Sequence, residues 1–444
     1  MNNILEKYLD EHKEDMLNDL KDFVAIPSVS SDREQVVNAL NYILDLAGKY
    51  GFEAKSVLGD QVGIIEMGEG DETLGILTHV DVVPTGYLTD WDTDPFTAVI
   101  KDGKMYGRGT IDDKGMIISS LYAMRAVKEL GLPIKKKVQL IMGTQEEVEW
   151  NDMNAYVSEY KLPDYGFTPD GEFPICNIEK GSVDMLMEFD VKDEEEPLDT
   201  YLSELEIGVA TNLVPGRAKA ILSNGAEVEA VGKPVHSCQP ERGKNAIFIL
   251  AEQLKQKNIA ENKLYKLLMA VNEDLSDQFG SKVGLYSESE YYQGEFVHRN
   301  AFAPTIFNAK EGKATINVNL RFPYGETAEN IVEHFEKWAG EHDGKIIKSH
   351  ILPAVFVSKE RPFLNVFAEA YEDVSGLKNE FTLAYGGSYA KAMPNVVSWA
   401  PLFPGEEDTC HEPNENIDIH NMELCTKIFA ESIEKIVLTD ESFK

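Results

Sequence analysis

The chain has 444 residues, 43% of them hydrophobic, which exceeds what one core usually serves and can fill two, so two domains are expected and disorder is not. Its 42 basic and 77 acidic residues give a formal charge of -35, which argues against nucleic acid or an anionic membrane as partner because their phosphates would be repelled. No stretch approaches the roughly 20 consecutive apolar residues of a membrane helix, and the segment from Met1 to Lys13 is charged and helix-periodic, unlike a signal peptide, so a cytoplasmic protein is expected.

Taken in chain order, Ile4, Leu5, Tyr8, Leu9, Met16, Leu17, Leu20, Phe23 and Val24 recur at helical spacing and predict one amphipathic helix ending before Pro27. A second helix is expected from about Glu34 to Tyr50. The apolar runs Val62–Ile65, Leu74–Leu77 and Val138–Met142 read as strands. Met116, Ile117, Leu121, Met124, Val127 and Leu130 mark a helix between the last two. That alternation predicts an α/β layered domain. From about Lys180 short strand-like pieces (Ser182–Phe189, Leu205–Ala210, Ala218–Ile221, Thr315–Arg321) alternate with helices near Asn245–Lys257 and Thr327–Ala339, which suggests a smaller α+β unit inserted in the chain. After Pro362 a helix over Phe363–Val374 and strands around Thr382 and Val396–Trp399 resume the first pattern. The acids Asp193 to Glu196 form a run that reads as a solvated turn or linker. Cys176, Cys238, Cys410 and Cys425 are widely spaced without a Cys-x-x-Cys pair, so reduced thiols are expected rather than a disulfide scaffold or a zinc ribbon.

Chemistry-bearing residues gather at the ends of the apolar strands. In Gly75-Ile76-Leu77-Thr78-His79-Val80-Asp81 a strand delivers a histidine and then a carboxylate on the same face, a metal ligand and a group able to orient it. Standing alone, the pair is as readily structural. Tyr106-Gly107-Arg108-Gly109-Thr110-Ile111-Asp112-Asp113-Lys114-Gly115 is a glycine-rich turn ending in two adjacent acids. One of them suits a helix N-cap, but two repel unless cations or donors meet them. Met142-Gly143-Thr144-Gln145-Glu146-Glu147 runs into a second acid pair, where one carboxylate can bind metal while the other moves protons; a solvated helix start is the plainer reading. Asp170 lies in the Pro-bounded loop Phe167–Pro174, a plain turn by default, and His411 in the loop Cys410–Glu415. Each sits at a strand end or in the loop beyond it, where α/β sheets hold their sites.

In this order the motifs resemble the di-zinc peptidases and deacylases related to carboxypeptidase G, acetylornithine deacetylase and succinyl-diaminopimelate desuccinylase, and within them the bacterial dipeptidases of the PepV type. The matching blocks run from Ile26-Pro27-Ser28-Val29 to Pro404-Gly405 and His411, nearly the whole chain. The resemblance implies a zinc-peptidase-like α/β catalytic domain, residues 1–179 and 353–444, whose central mixed sheet is flanked by helices. An α+β lid domain, residues 180–352, is inserted in it. It implies two divalent metal ions, Zn2+ first with Mn2+ or Co2+ as alternatives, held by His79, Asp112, Glu147, Asp170 and His411, with Asp112 bridging. Asp81 would orient His79, Glu146 would be the general base, and the Asp112–Asp113 peptide bond would be cis. In Gly232-Lys233-Pro234-Val235-His236-Ser237-Cys238-Gln239-Pro240, His236 matches the lid histidine that stabilises the oxyanion. Asn212 and Arg321 match substrate-contacting lid positions. Arginine suits a peptide's terminal carboxylate because it binds both oxygens at once, although Arg321 could equally be a strand-end salt bridge. Gly386, Gly387 and Ser388, in Tyr385–Asn395, match a substrate-facing loop. Gln145, Val148-Glu149 and Lys391 depart from the family pattern without removing a ligand or the base.

The implied reaction is amide hydrolysis in small peptides by a hydroxide held between two metal ions, with a dipeptide as substrate and lid closure assembling the site. An N-acyl amino acid deacylase or desuccinylase and an exopeptidase on longer chains are the alternatives within the family; a catalytically inactive metal-bound binding protein is the alternative outside it. The length of the insertion favours a monomer over a homodimer.

Overall fold

A computed structural model describes residues 2–285, 290–292 and 294–444; Met1 lies outside the described residues. The chain divides into two compact units, the first comprising Met1–Asn177, Phe356–Thr382 and Ser388–Lys444, the second Ile178–Val355 and Leu383–Gly387.

The first unit is built on a mixed sheet whose strands run in the order Glu53–Val57, Val62–Met67, Lys137–Gly143, Thr73–His79, Tyr165–Thr168, Val396–Ser398. The first two pairings are antiparallel and the next three parallel. Every residue of Thr73–His79 is buried, which accounts for its unbroken apolar run: a parallel strand in mid-sheet is covered on both faces. Arg33–Lys49 packs on the outer strands, while Lys114–Glu129 packs on the two central ones and against the C-terminal helix Ile419–Val437. The expected opening helix is instead two, Asn3–Glu11 and Lys13–Val24. They break at His12, whose backbone leaves helical geometry (φ -108°, ψ 12°) and whose ring bonds the Tyr8 carbonyl at 2.8 Å.

The second unit is a seven-stranded antiparallel sheet in the order Glu227–Val231, Arg217–Leu222, Leu202–Ile207, Ala301–Lys310, Lys313–Phe322, Gly181–Asp190, Gly344–Leu352. Helices Ala246–Lys255, Lys263–Asp274 and Ala328–Glu341 pack against it and share its apolar core. The acids Glu194 to Glu196 are exposed, as a solvated turn should be. Among the described residues no two cysteines are joined in a disulfide. Among the described residues no helix is long and apolar enough to cross a membrane.

Candidate metal centre

Sheet register places the centre. His79 stands opposite Gly143, so the chain leaves two parallel strands at one edge, and the turns beyond carry Asp81 and the pair Glu146–Glu147. Tyr165–Thr168 runs parallel beside them and ends just before Asp170. This is the carboxyl edge of a parallel sheet, where the strand ends open into loops. Asp112 arrives at the start of helix Lys114–Glu129 through a cis Asp112–Asp113 peptide bond, and His411 from a loop in which it takes a left-handed φ of 64°.

Two groups of three ligand atoms result, one from His79, Glu146 and Asp170 and the other from His79, Asp112 and Glu147, the atoms of each lying within 4.8 Å of one another. His411 joins the second: its Nε2 is 3.0 Å from Asp112 Oδ2 and 3.1 Å from Glu147 Oε2. The other Asp112 oxygen, Oδ1, lies 2.9 Å from His79 Nε2. Both of those last atoms are buried, yet neither makes a hydrogen bond. They face each other without the alignment of donor to acceptor, which is what two ligands directed at one cation would do. His79 Nδ1 is already committed, at 2.9 Å, to the Asp81 carbonyl oxygen, which leaves Nε2 as the nitrogen able to coordinate.

Electrostatics point the same way. Burial and then Asp170 push the Glu146 carboxyl well above its usual range; burial and then Asp112 raise Glu147, and lift Asp170 to about 7. Burial opposes the charge of Asp112 too, but the two histidines outweigh it and hold its carboxyl low. Burial likewise disfavours a charged His79, yet Asp112 and Asp81 raise it well above normal, and contact with Asp112 and Glu147 takes His411 to about 11. Acids and histidines raised together around one point are an imbalance that divalent cations would relieve.

Asp81 does more than flank His79. Its carboxylate accepts the main-chain amides of Glu146 (3.1 Å) and Glu147 (3.4 Å) and the Ser30 hydroxyl (2.8 Å), so it holds the acid pair in a turn that is not helical. Asp152, which sequence reasoning passed over, holds the residues before that turn. Its Oδ2 accepts from Thr144 N (2.5 Å), Gln145 N (2.9 Å) and the Tyr389 hydroxyl (2.7 Å). Asp113 occupies the N-cap position without capping by its side chain; Oδ2 accepts the His79 amide at 3.2 Å instead. Tyr389 packs its ring against the Gly143 backbone, where an added Cβ would collide with the hydroxyl that Asp152 anchors. Gly143→Ala is therefore expected to cost about 1–3 kcal/mol, the usual penalty of overpacking, read as a lower denaturant midpoint; an unchanged midpoint would show that Tyr389 yields freely.

The remaining candidates, apart from Ser388, lie in the second unit. The amide of Val214 donates to Val235 O and that of Ser237 to Asn212 O, both at 2.9 Å, joining the Asn212 segment to the His236 segment. Cys238 N donates to His236 Nδ1 at 3.2 Å, so a neutral ring carries its proton on Nε2. Burial, then Arg321, lowers the His236 pKa and favours that neutral form. Arg321, in Lys313–Phe322, has a buried Nε without a hydrogen-bond partner and forms no ion pair with a carboxylate among the described residues. A strand-end salt bridge is thus not its role there. Gly386 and Gly387 are exposed; Ser388, in the first unit, is buried and its hydroxyl accepts from Ala390 N at 3.3 Å.

Comparison with known proteins agrees with this architecture. Residues 75–435 match the model of peptidase family M20/M25/M40. "Putative dipeptidase YtjP" of Bacillus subtilis (strain 168) is 30% identical over 96% of this chain and 97% of its own length. Among solved structures, an M20 family metallo-carboxypeptidase from Sulfolobus solfataricus superposes with a TM-score of 0.64 at 18% identity, covering 94% of this chain and 98% of that one. Human carnosine dipeptidase 1 gives 0.63 at 18% identity, covering 97% and 98%. The chain belongs to peptidase family M20/M25/M40 and is a hydrolase acting on peptide bonds.

Proposed function

We propose that the chain is a metal-dependent dipeptidase holding two divalent cations, zinc or alternatively manganese or cobalt, and working as a cytoplasmic monomer. The observation that carries this reading is the divided aspartate: Asp112 turns Oδ1 to His79 at 2.9 Å and Oδ2 to His411 at 3.0 Å, as a carboxylate serving two ions would. On this reading Glu147 and His411 complete one ion's ligands and His79 and Asp170 the other's, and Asp81 orients His79 through its carbonyl. When bound, such ions supply Lewis-acid polarisation of the scissile carbonyl and a lower pKa for the attacking water. Glu146 takes the proton from that water and returns it to the departing amine. His236 donates Nε2–H to the oxygen of the scissile carbonyl as it gains charge. Arg321 binds the substrate's terminal carboxylate through its fork of donors, and Asn212 and the 386–388 segment contact the substrate, with residues 180–352 as the lid domain and residues 1–179 and 353–444 as the catalytic domain.

The name of the Bacillus relative and of the human neighbour favours dipeptides over other amides. The test is a panel of free dipeptides, tripeptides and N-acyl amino acids, offered to protein stripped by chelator and then reloaded with zinc, manganese or cobalt. Dipeptide hydrolysis should disappear on stripping and return at two ions per chain, with sedimentation equilibrium giving a single-chain mass. Turnover of N-acyl amino acids alone would make it a deacylase.

A further inference from the structure

Arg108 and Glu415 form an ion pair, Nη1 to Oε2 at 2.7 Å, with side chains 2% and 0% exposed. The hydrolytic reaction gives neither a part. The second oxygen of Glu415, Oε1, accepts three main-chain donors of the Asp112 loop: Gly109 N at 2.9 Å, Ile111 N at 3.1 Å and Asp112 N itself at 3.3 Å. The Glu415 carbonyl also accepts Gly107 N at 2.9 Å. Glu415 follows His411 by four positions, and Arg108 precedes Asp112 by four. One acid therefore gathers the loop that carries Asp112 and the loop that carries His411. A third loop is tied in: Arg108 Nη2 donates to Pro84 O at 3.4 Å and its guanidinium lies 5.2 Å over the Trp91 ring. Asn414 accepts from Asp92 N at 2.8 Å and donates to Asp90 O at 3.2 Å.

A buried ion pair is a poor source of stability, because desolvation offsets most of its attraction and apolar residues of similar size would do as well. What such a pair can fix is relative position. Groups behind metal ligands commonly govern affinity by about 10–100-fold. We propose that Arg108 and Glu415 are positioning residues that set the approach of His411 Nε2 to Asp112 Oδ2, 3.0 Å apart, and thereby the affinity for the cation on the His411 side. This rests on the two-ion reading.

Glu415→Gln tests it with little change of shape. Glutamine has one acceptor oxygen, which can serve the three amides or Arg108 but not both. Zinc would be titrated in competition with a chromophoric chelator, independently of activity. The wild type should bind two ions; the variant should bind one about 10–100-fold more weakly and the other unchanged. Ile433→Val, a buried change in the C-terminal helix, should lower the melting temperature and move neither affinity, separating positioning from general loosening. Two unchanged affinities in Glu415→Gln, or equal loss of both, would overturn the proposal. A wild type that binds fewer than two ions would overturn the two-ion reading itself. Should circular dichroism show Glu415→Gln unfolded, Arg108→Lys, which keeps the charge but not the fork, takes its place: the same selective weakening is expected, and unchanged or equally weakened affinities would again overturn the proposal.

Discussion

Glu146→Gln is expected to lower kcat by about 10²–10⁴-fold, the range a general base contributes, while zinc content stays at two ions per chain. Amide replaces carboxylate with little change in volume, and its main-chain anchors are untouched: Glu146 N still donates to Asp81 Oδ1 at 3.1 Å and Glu146 O still accepts from Trp150 Nε1 at 2.5 Å. The prediction has a rival inside the same cluster, because Glu146 shares a possible ligand group with His79 and Asp170. What favours metal binding by its neighbour is that Glu147 sets Oε2 at 3.1 Å and Oε1 at 3.2 Å from His411 Nε2. Glu147→Gln should therefore lose an ion where Glu146→Gln does not. Metal analysis of the two variants side by side decides it. If Glu146→Gln loses the ion and Glu147→Gln keeps both, the two roles are exchanged.

The residues at strand ends were legible because a buried apolar run that ends in a histidine or acid has few bland explanations when it occurs repeatedly. His79 is of this kind, and it stands opposite Gly143, the end of the strand from which the chain turns to Glu146 and Glu147. The double service of Asp112 was not legible from spacing, since its partner on one side, His411, lies about 300 positions away and only folding joins the two loops. Asp152 hid in the first turn of Asn151–Glu159, where an acid suits any helix N-terminus, although its acceptors serve amides upstream. Glu415 resembled one more polar residue of a surface loop, and nothing local announces that it is wholly buried. In the second unit, Gly344–Leu352 escaped notice because it is an edge strand with mostly exposed residues and no alternation to read. Lys263–Asp274 is different: Leu264, Leu267, Leu268 and Val271 are buried at helical spacing, a pattern the sequence carries openly. The break at His12 lay beyond periodicity, which continues across it and reports the buried face rather than the backbone.

His236→Ala is expected to reduce kcat about 10²–10³-fold, the usual effect of removing one oxyanion donor, with KM changed little and both ions retained. The expectation follows from the ring's tautomer. The Cys238 amide occupies Nδ1 at 3.2 Å, so the neutral imidazole presents Nε2–H, a donor and not a base. Burial and then Arg321 reinforce this by disfavouring protonation of the ring. Loss of loop structure could imitate the result, because His236 sits between Val235 and Ser237, both hydrogen-bonded to the Asn212 segment. Those bonds are made by the main chain and survive truncation of the side chain. His236→Gln separates the two explanations: its amide can still donate an N–H, so it should recover part of kcat, whereas a lost loop would not be restored by donor chemistry. A kcat for His236→Ala within about threefold of wild type would remove the oxyanion role, since losing a single oxyanion donor ordinarily costs about 10²–10³-fold.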